Sequence, residues 1–178
     1  MENNIFDKEY YVLSIDEKEA LLQVKFYFYN VELPKYFKKP DLFYYDDCFF
    51  GSDKFKKFIE KENIFGINYH KIKLLTIRGI IENIYEIIFN NSLSALDKNN
   101  YIGDKMNKKR KFLSIEQFSL NMKFLENIPF NKRILFTLKE NEDIILVHEE
   151  LVKKLRQERV NGIKYIRVDK WYEPIFYK

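Results

Sequence analysis

The stretch from Arg133 to Trp171, RILFTLKENEDIILVHEELVKKLRQERVNGIKYIRVDKW, constrains the fold more than any other part of the chain. Ile134, Phe136 and Leu138 alternate with Leu135, Thr137 and Lys139, which is the period-two pattern of a strand. The polar cluster Glu140-Asn141-Glu142-Asp143 predicts a reversal, and Ile144 to Val147 the returning strand. From about Glu149 the period becomes helical, with Leu151, Val152 and Leu155 on one face. Glu149 and Glu150 suit the positive end of the helix dipole, while Lys153, Lys154, Arg156 and Arg159 crowd its last turns. Asn161-Gly162 predicts the helix end, because glycine reaches the left-handed conformation there, and Ile163 to Val168 follows as a strand.

A second region follows a similar plan 96 residues earlier in the chain. Leu42 to Phe50 predicts a strand, Ser52 or Asp53 an N-cap, and Phe55, Phe58, Ile59 and Glu62 a helix, before Gly66 opens another strand. Asp47, Lys57, Gly66, Ile67 and Tyr69 are identical to Asp143, Lys153, Gly162, Ile163 and Tyr165 at that offset. Phe55, Ile59, Ile64, Lys71 and Ile72 have conservative counterparts in Leu151, Leu155, Val160, Arg167 and Val168. Two readings stand side by side: strand-helix-strand units built on one plan, with Gly66 and Gly162 as matched helix stops, or the ordinary likeness of any helix followed by glycine and a strand.

Elsewhere, Glu9 to Ser14 predicts a short first strand and Leu22 to Phe28 a clearer one, with Tyr27 and Tyr29 on its outer side. Pro34 and Pro40 mark a surface connector over Val31 to Asp41. Ile72 to Ile77 ends a long strand. Asn83 to Phe89 alternates as a strand, although Ile80, Ile81, Ile84, Ile87 and Ile88 also fit a helix over Gly79 to Asn90. The polar segment 91–111, ending in a basic run from Lys105 to Lys111, predicts a loop. Ile115 to Met122 resumes as a strand, Phe124 to Asn127 turns, and Pro129 fixes the entry to the C-terminal stretch. The predicted class is α+β: a mixed, mostly antiparallel sheet with few helices. The chain is expected to be a single domain over 1–178, or an N-terminal lobe (1–90) and a C-terminal lobe (112–178) joined by the polar loop.

At 178 residues the chain can bury one good core, and 46% hydrophobic with 33% charged residues excludes a disordered protein. No run approaches the roughly 20 apolar residues of a membrane helix. The polar, acidic start MENNIFDKEYY lacks a secretory pattern, so a cytoplasmic location is expected. Cys48 is the sole cysteine, which excludes an internal disulfide and a cysteine-based zinc site. The net charge of +4 is a small difference between 31 basic and 27 acidic residues, and abundant Lys, Asn, Ile, Tyr and Phe suit AT-rich coding sequence. It does not argue for a nucleic-acid binder.

No constellation assembles a reaction centre. His70 and His148 have no metal-ligand partner at HxH, HxxxH or HExxH spacing, so neither a metal nor another cofactor is expected. His148 stands where a helix-capping Ser or Asp is usual. Asp46-Asp47 and Glu140 to Asp143 are acidic clusters in predicted turns, more suited to steering a basic partner than to acid-base chemistry. The Lys105 to Lys111 run could contact phosphates, with only Tyr101 and Phe112 nearby for base stacking. The five glycines are too scattered to cradle a phosphate. Aromatic content is the unusual quantity, at 17% with 13 Tyr and 17 Phe. Tyr27, Tyr29, Tyr44, Tyr45, Trp171 and Tyr172 are candidate partner-binding anchors, since amphipathic rings give large contact area for little entropy. For the aromatic tail, packing on its own domain is the equal alternative.

The patterns LFTLKE (Leu135 to Glu140), ILVHEELVKKL (Ile145 to Leu155) and VNGIKYIRV (Val160 to Val168) resemble a family of bacterial immunity proteins of polymorphic toxin systems, first catalogued as a domain of unknown function. The likeness extends more weakly to SDKFKKFIEKENIFGI (Ser52 to Ile67), to Ala95-Leu96-Asp97 and to FSLNMKFLENIP (Phe118 to Pro129), covering most of residues 42 to 170. The sequence departs from the family at His148, where serine is usual at the helix start, which implies a weaker cap. The resemblance implies a non-catalytic, cofactor-free protein that neutralises a toxin encoded beside it by tight binding. A nucleic-acid-associated protein using Lys105 to Lys111 is the alternative.

Overall fold

The computed structural model describes residues 9–15, 40–45, 48–76, 79–104 and 115–172. In chain order its strands are β1 (Tyr10–Ile15), β2 (Leu42–Tyr45), β3 (Cys48–Ser52), β4 (Ile67–Thr76), β5 (Gly79–Phe89), β6 (Ser92–Leu93), β7 (Leu96–Gly103), β8 (Ile115–Leu120), β9 (Leu135–Leu138), β10 (Asn141–His148) and β11 (Ile163–Arg167). The helices are α1 (Asp53–Glu62), α2 (Met122–Glu126), α3 (Phe130–Arg133) and α4 (Glu149–Gln157). The class is α+β, with mostly antiparallel pairing. Two compact units divide the chain: one takes described residues from 1–13, 90–153 and 165–178, the other from 14–89 and 154–164. Neither is a continuous half of the sequence.

The first unit carries the sheet β11-β1-β10-β9-β6 and a separate β7-β8 pair. Antiparallel register sets Val12 opposite Leu146 and Leu146 opposite Phe136, while β6 joins β9 in parallel. One core gathers Tyr10, Val12, Phe136, Leu138, Ile144 and Leu146 with Ile115, Phe118, Leu120, Met122 and Leu125. Each such side chain contributes on the order of 1.5–3 kcal/mol of apolar burial. The expected in-out alternation of β9 gives way to burial of all four residues. Leu135, Ile145 and Val147, on the opposite face from Phe136 and Leu146, are buried as well, as in a sheet covered on both sides. Buried Thr137 meets the uncovered-donor problem this creates by giving its N–H to the Asn91 carbonyl at 2.8 Å. The Asn91 amide in turn donates to the carbonyls of Lys132 and Leu135 at 2.6 and 2.8 Å.

The second unit carries the sheet β2-β3-β5-β4. The expected strand from Leu42 to Phe50 is a hairpin, in which β2 and β3 pair antiparallel from Leu42↔Gly51 to Tyr45↔Cys48. Both β3 and β4 run antiparallel to β5, so they are parallel to each other, and α1 is the crossover between them. Gly79 to Phe89 is a strand; the helical alternative fails because β5 pairs with β4 along its length. A bulge between Ile72 and Leu74, with Asn83 at φ +59, shifts the facing residues and blurs the alternation.

The two orders correspond. A hairpin (β2-β3, then β9-β10) leads into a helix and then a strand, and one other strand, β5 or β1, is inserted between hairpin and last strand. The correspondence reaches the helix ends, where the expected roles of Gly66 and Gly162 need correction. Helix α1 is closed by Asn63 at φ +50, with Asn63 N–H on Glu60 and Ile64 N–H on Ile59. Helix α4 is followed by Arg159 at φ +53, with Arg159 N–H on Arg156 and Val160 N–H on Leu155. Each pair is a Schellman closure, and the positions again differ by 96. Gly66 (φ +75) and Gly162 (φ +85) come three residues later, turning the chain into β4 and β11. At Gly162 a Cβ would lie 2.1 Å from the Leu42 carbonyl oxygen.

Two further expectations change. In the predicted loop over 91–111 the described residues hold β6 and β7, with Asp97, Lys98, Asn99 and Asn100 on a bulged stretch between the Leu96↔Leu120 and Tyr101↔Phe118 pairs, while 105–111 lies outside them. The turn expected at Phe124 to Asn127 belongs to α2, which Asn121 caps by accepting from Phe124 N–H at 3.1 Å. Pro129 opens α3, its carbonyl taking the N–H of Lys132 at 2.9 Å. The expected strand over Leu22 to Phe28 lies outside the described residues, as does 31–39 of the surface connector expected over Val31 to Asp41, whose last residue, Asp41, is buried.

Gly162→Ala should lose about 2 kcal/mol or more in urea unfolding, because strain at positive φ adds to the clash with Leu42. Arg159→Gly should gain about 0.5–1 kcal/mol, since its left-handed φ then carries no Cβ penalty. An unchanged Gly162→Ala midpoint would refute the close approach.

Candidate binding surface

The anchor candidates separate on inspection. Tyr27, Tyr29, Asp46 and Asp47 lie outside the described residues, as do Lys105 to Lys111 and Phe112. Tyr45 enters through its backbone as the partner of Cys48. Tyr44 is 41% exposed on β2. Its ring packs on Phe49 across the hairpin, with centroids 4.8 Å apart, and Phe49 meets Phe89 edge-on at 5.3 Å. The three rings form a row across β2, β3 and β5 on one face of the second unit's sheet. That same face carries Gly51, Tyr69, Tyr85 and Ile87 under α1, where a Cβ at Gly51 would meet Phe55 and Ile87 at 3.0–3.1 Å. In the first unit, Trp171 is half-buried against Phe118, centroids 5.2 Å apart, and belongs to the core's margin, whereas Tyr172 is 47% exposed.

The charged candidates sort differently. Glu142 and Asp143 are exposed, but the reversal uses Lys139 and Glu140 rather than the whole acidic cluster, and Asn141 already pairs with Leu138 as the first residue of β10. Asn141 is buried, accepting from Asp143 N–H at 3.1 Å. Its short side chain satisfies the bulged backbone locally. Glu140 accepts from the Ser94 hydroxyl. His70 is exposed on β4, and among the described residues no three His, Cys, Asp or Glu side chains converge as a metal site. No helix among them is long and apolar enough to cross a membrane.

Helix α1 presents a basic face that the sequence already held in Lys54, Lys57 and Lys61, at spacings of three and four. These lysines line an open cavity of about 360 Å³ with Asp53, Phe58 and Glu158. Every one has a carboxylate: Lys57 on Asp53 at 2.7 Å, Lys61 on Glu158 at 2.6 Å and Lys54 on Asp41 at 3.1 Å. Hydrogen bonds from Lys57 and Lys61 hold the Asp53 and Glu158 carboxyls below their ordinary range. The cavity is therefore largely self-neutralised. Nearby, Lys56 lies over the Tyr69 ring at 4.6 Å and bonds Glu60 at 2.6 Å, which also accepts from the Tyr69 hydroxyl.

Asp41 is the residue that sequence reasoning missed. It is buried at 8% exposure and accepts from the Ser52 hydroxyl at 2.8 Å, Asn161 N–H at 3.0 Å and Lys54 at 3.1 Å. Its own N–H donates to Asn161 Oδ1 at 2.6 Å. Leu42 N–H adds a bond to the Asn161 carbonyl at 3.3 Å, and Ser52 N–H one to the Asp41 carbonyl at 2.8 Å. The Ser52 hydroxyl also accepts from Phe55 N–H at 3.2 Å, so this one oxygen caps α1 while donating to Asp41. The clasp makes the surface possible by fixing where β2 begins, hence where Tyr44 stands. A scan against protein-family models finds no match to this chain, and neither does a search of curated proteins.

Asp41→Ala should cost roughly 2–4 kcal/mol, because the buried Ser52 hydroxyl and the part-buried Asn161 N–H lose their acceptor, whereas Lys54→Ala should stay within about 1 kcal/mol. A double-mutant cycle of Asp41→Ala with Asn161→Ala should show a coupling above about 1 kcal/mol. Additive losses would mean the two residues act separately.

Proposed function

We propose that the chain is a non-catalytic immunity protein that neutralises a cognate polymorphic toxin by direct, tight binding in the cytoplasm of the producing bacterial cell. The observation that carries this reading is the likeness of Leu135 to Glu140, Ile145 to Leu155 and Val160 to Val168 to that family. In this chain the three segments are consecutive parts of one hairpin, helix and strand, β9 to β11. Further support comes from chemistry suited to binding. The Tyr44-Phe49-Phe89 row, with exposed Tyr172 elsewhere, supplies rigid aromatic contact area, with polar hydroxyls at Tyr44 and Tyr172. Glu142 and Asp143 supply exposed negative charge that steers a basic partner. Tyr27, Tyr29, Tyr45, Asp46, Asp47 and Trp171 complete the set from which an interface would be drawn.

The test is co-expression with the toxin encoded beside it. Rescue of growth together with a complex isolable from the two purified proteins is the expected result. Tyr44→Ala should then weaken binding at least fivefold while lowering the stability of the free protein by no more than about 1 kcal/mol, the contribution of its cross-strand pair with Phe49. Absence of rescue and binding with every neighbouring toxin would remove the proposal. Nucleic-acid binding that weakens steeply with salt and is lost on neutralising Lys108 to Lys111 would replace it.

A further inference from the structure

His148 ends β10 and stands immediately before α4. It is buried at 8% exposure, with ring contacts to Tyr10 and Phe130 at 5.1 and 5.0 Å. Its Nδ1 accepts the N–H of Glu150 at 3.2 Å, so the imidazole performs the capping that Ser52 performs on α1. A nitrogen that accepts is unprotonated, which fixes the neutral tautomer with its proton on Nε2. Nε2 lies 3.7 Å from Glu9 Oε2, outside hydrogen-bond distance.

We propose that His148 is an acid-sensitive latch on α4: a second proton, on Nδ1, turns the cap acceptor into a donor facing Glu150 N–H and opens the first turn of the helix. Three effects act together. The hydrogen bond to Glu150 is lost, two donors oppose each other, and a positive charge appears at the positive end of the helix dipole. The charged groups around the ring are Glu9 beside β1, Arg133 on α3, and Glu149 and Glu150 on α4, with the Tyr10 hydroxyl held 3.4 Å from Arg133. Burial, aided by Arg133, outweighs the three acids and lowers the imidazole pKa from its ordinary value of 6.5. The unfolded chain therefore takes the proton first as pH falls. The contribution of the cap is complete above about 6.5 and is lost as pH drops from there through the lowered folded value.

The experiment follows amide exchange protection at Glu150, Leu151 and Val152 by NMR in the full chain from pH 8 to 5, alongside the His148 imidazole resonances. Protection in wild type should fall by up to tenfold per pH unit, in step with an imidazole midpoint below 6.5. His148→Asn and His148→Ser, which keep a cap acceptor that does not titrate, should hold protection constant over the range, and His70→Asn should behave as wild type. The same fall in either His148 variant would overturn the latch. So would an imidazole that titrates in wild type without loss of protection, a readout that needs no variant to fold.

Discussion

Much of the second unit depends on the reciprocal clasp between Asp41 and Asn161. Each side chain takes a backbone N–H of the other residue, and the pair joins positions 120 apart in sequence. Around it the carboxylate also receives Ser52 and Lys54, so one group fixes the start of β2, the cap of α1 and the turn before β11. The ion pairs Lys61–Glu158 and Lys154–Glu62 run between the same two stretches of chain but lie in solvent, where such pairs contribute little. A buried, fully occupied carboxylate with several donors differs from them in kind.

What was legible in the sequence follows from how local the deciding interactions are. The β9-β10-α4-β11 order, the Ser52 cap and the strand at Ile115 each announce themselves through neighbours a few residues away. The helix ends show the limit. Glycine was the expected stop, yet Asn63 and Arg159 take the left-handed position, because the Schellman hydrogen bonds and the burial of Ile64 and Val160 offset the modest cost of a Cβ there. Gly162 is required for a different reason, the nearness of the Leu42 carbonyl, which no local pattern encodes.

Long-range pairing accounts for the other departures. Leu96 to Gly103 is too polar to announce a strand, but β8 supplies its partner and the exposed side leaves its polar side chains in water. Asp41 reads as the end of the connector over Val31 to Asp41, since its donors come from residues 11 to 120 positions away. Of the surface candidates, Tyr44 and Tyr172 are accessible, whereas Trp171 divides its ring between solvent and the Phe118 core. The sequence alone could not choose, because an amphipathic ring suits both places.

The interleaving of the units bears on how the protein is made. The stretch Lys154 to Lys164 belongs to the unit whose main part ends at Phe89. Translation at about 5–20 residues per second leaves several seconds between the synthesis of those two parts. For that interval α1 and the β2-β3-β5-β4 sheet lack Asn161, and the buried Asp41 carboxylate lacks one of its donors. The N-terminal part of the nascent chain therefore waits, incompletely closed, for residues not yet synthesised.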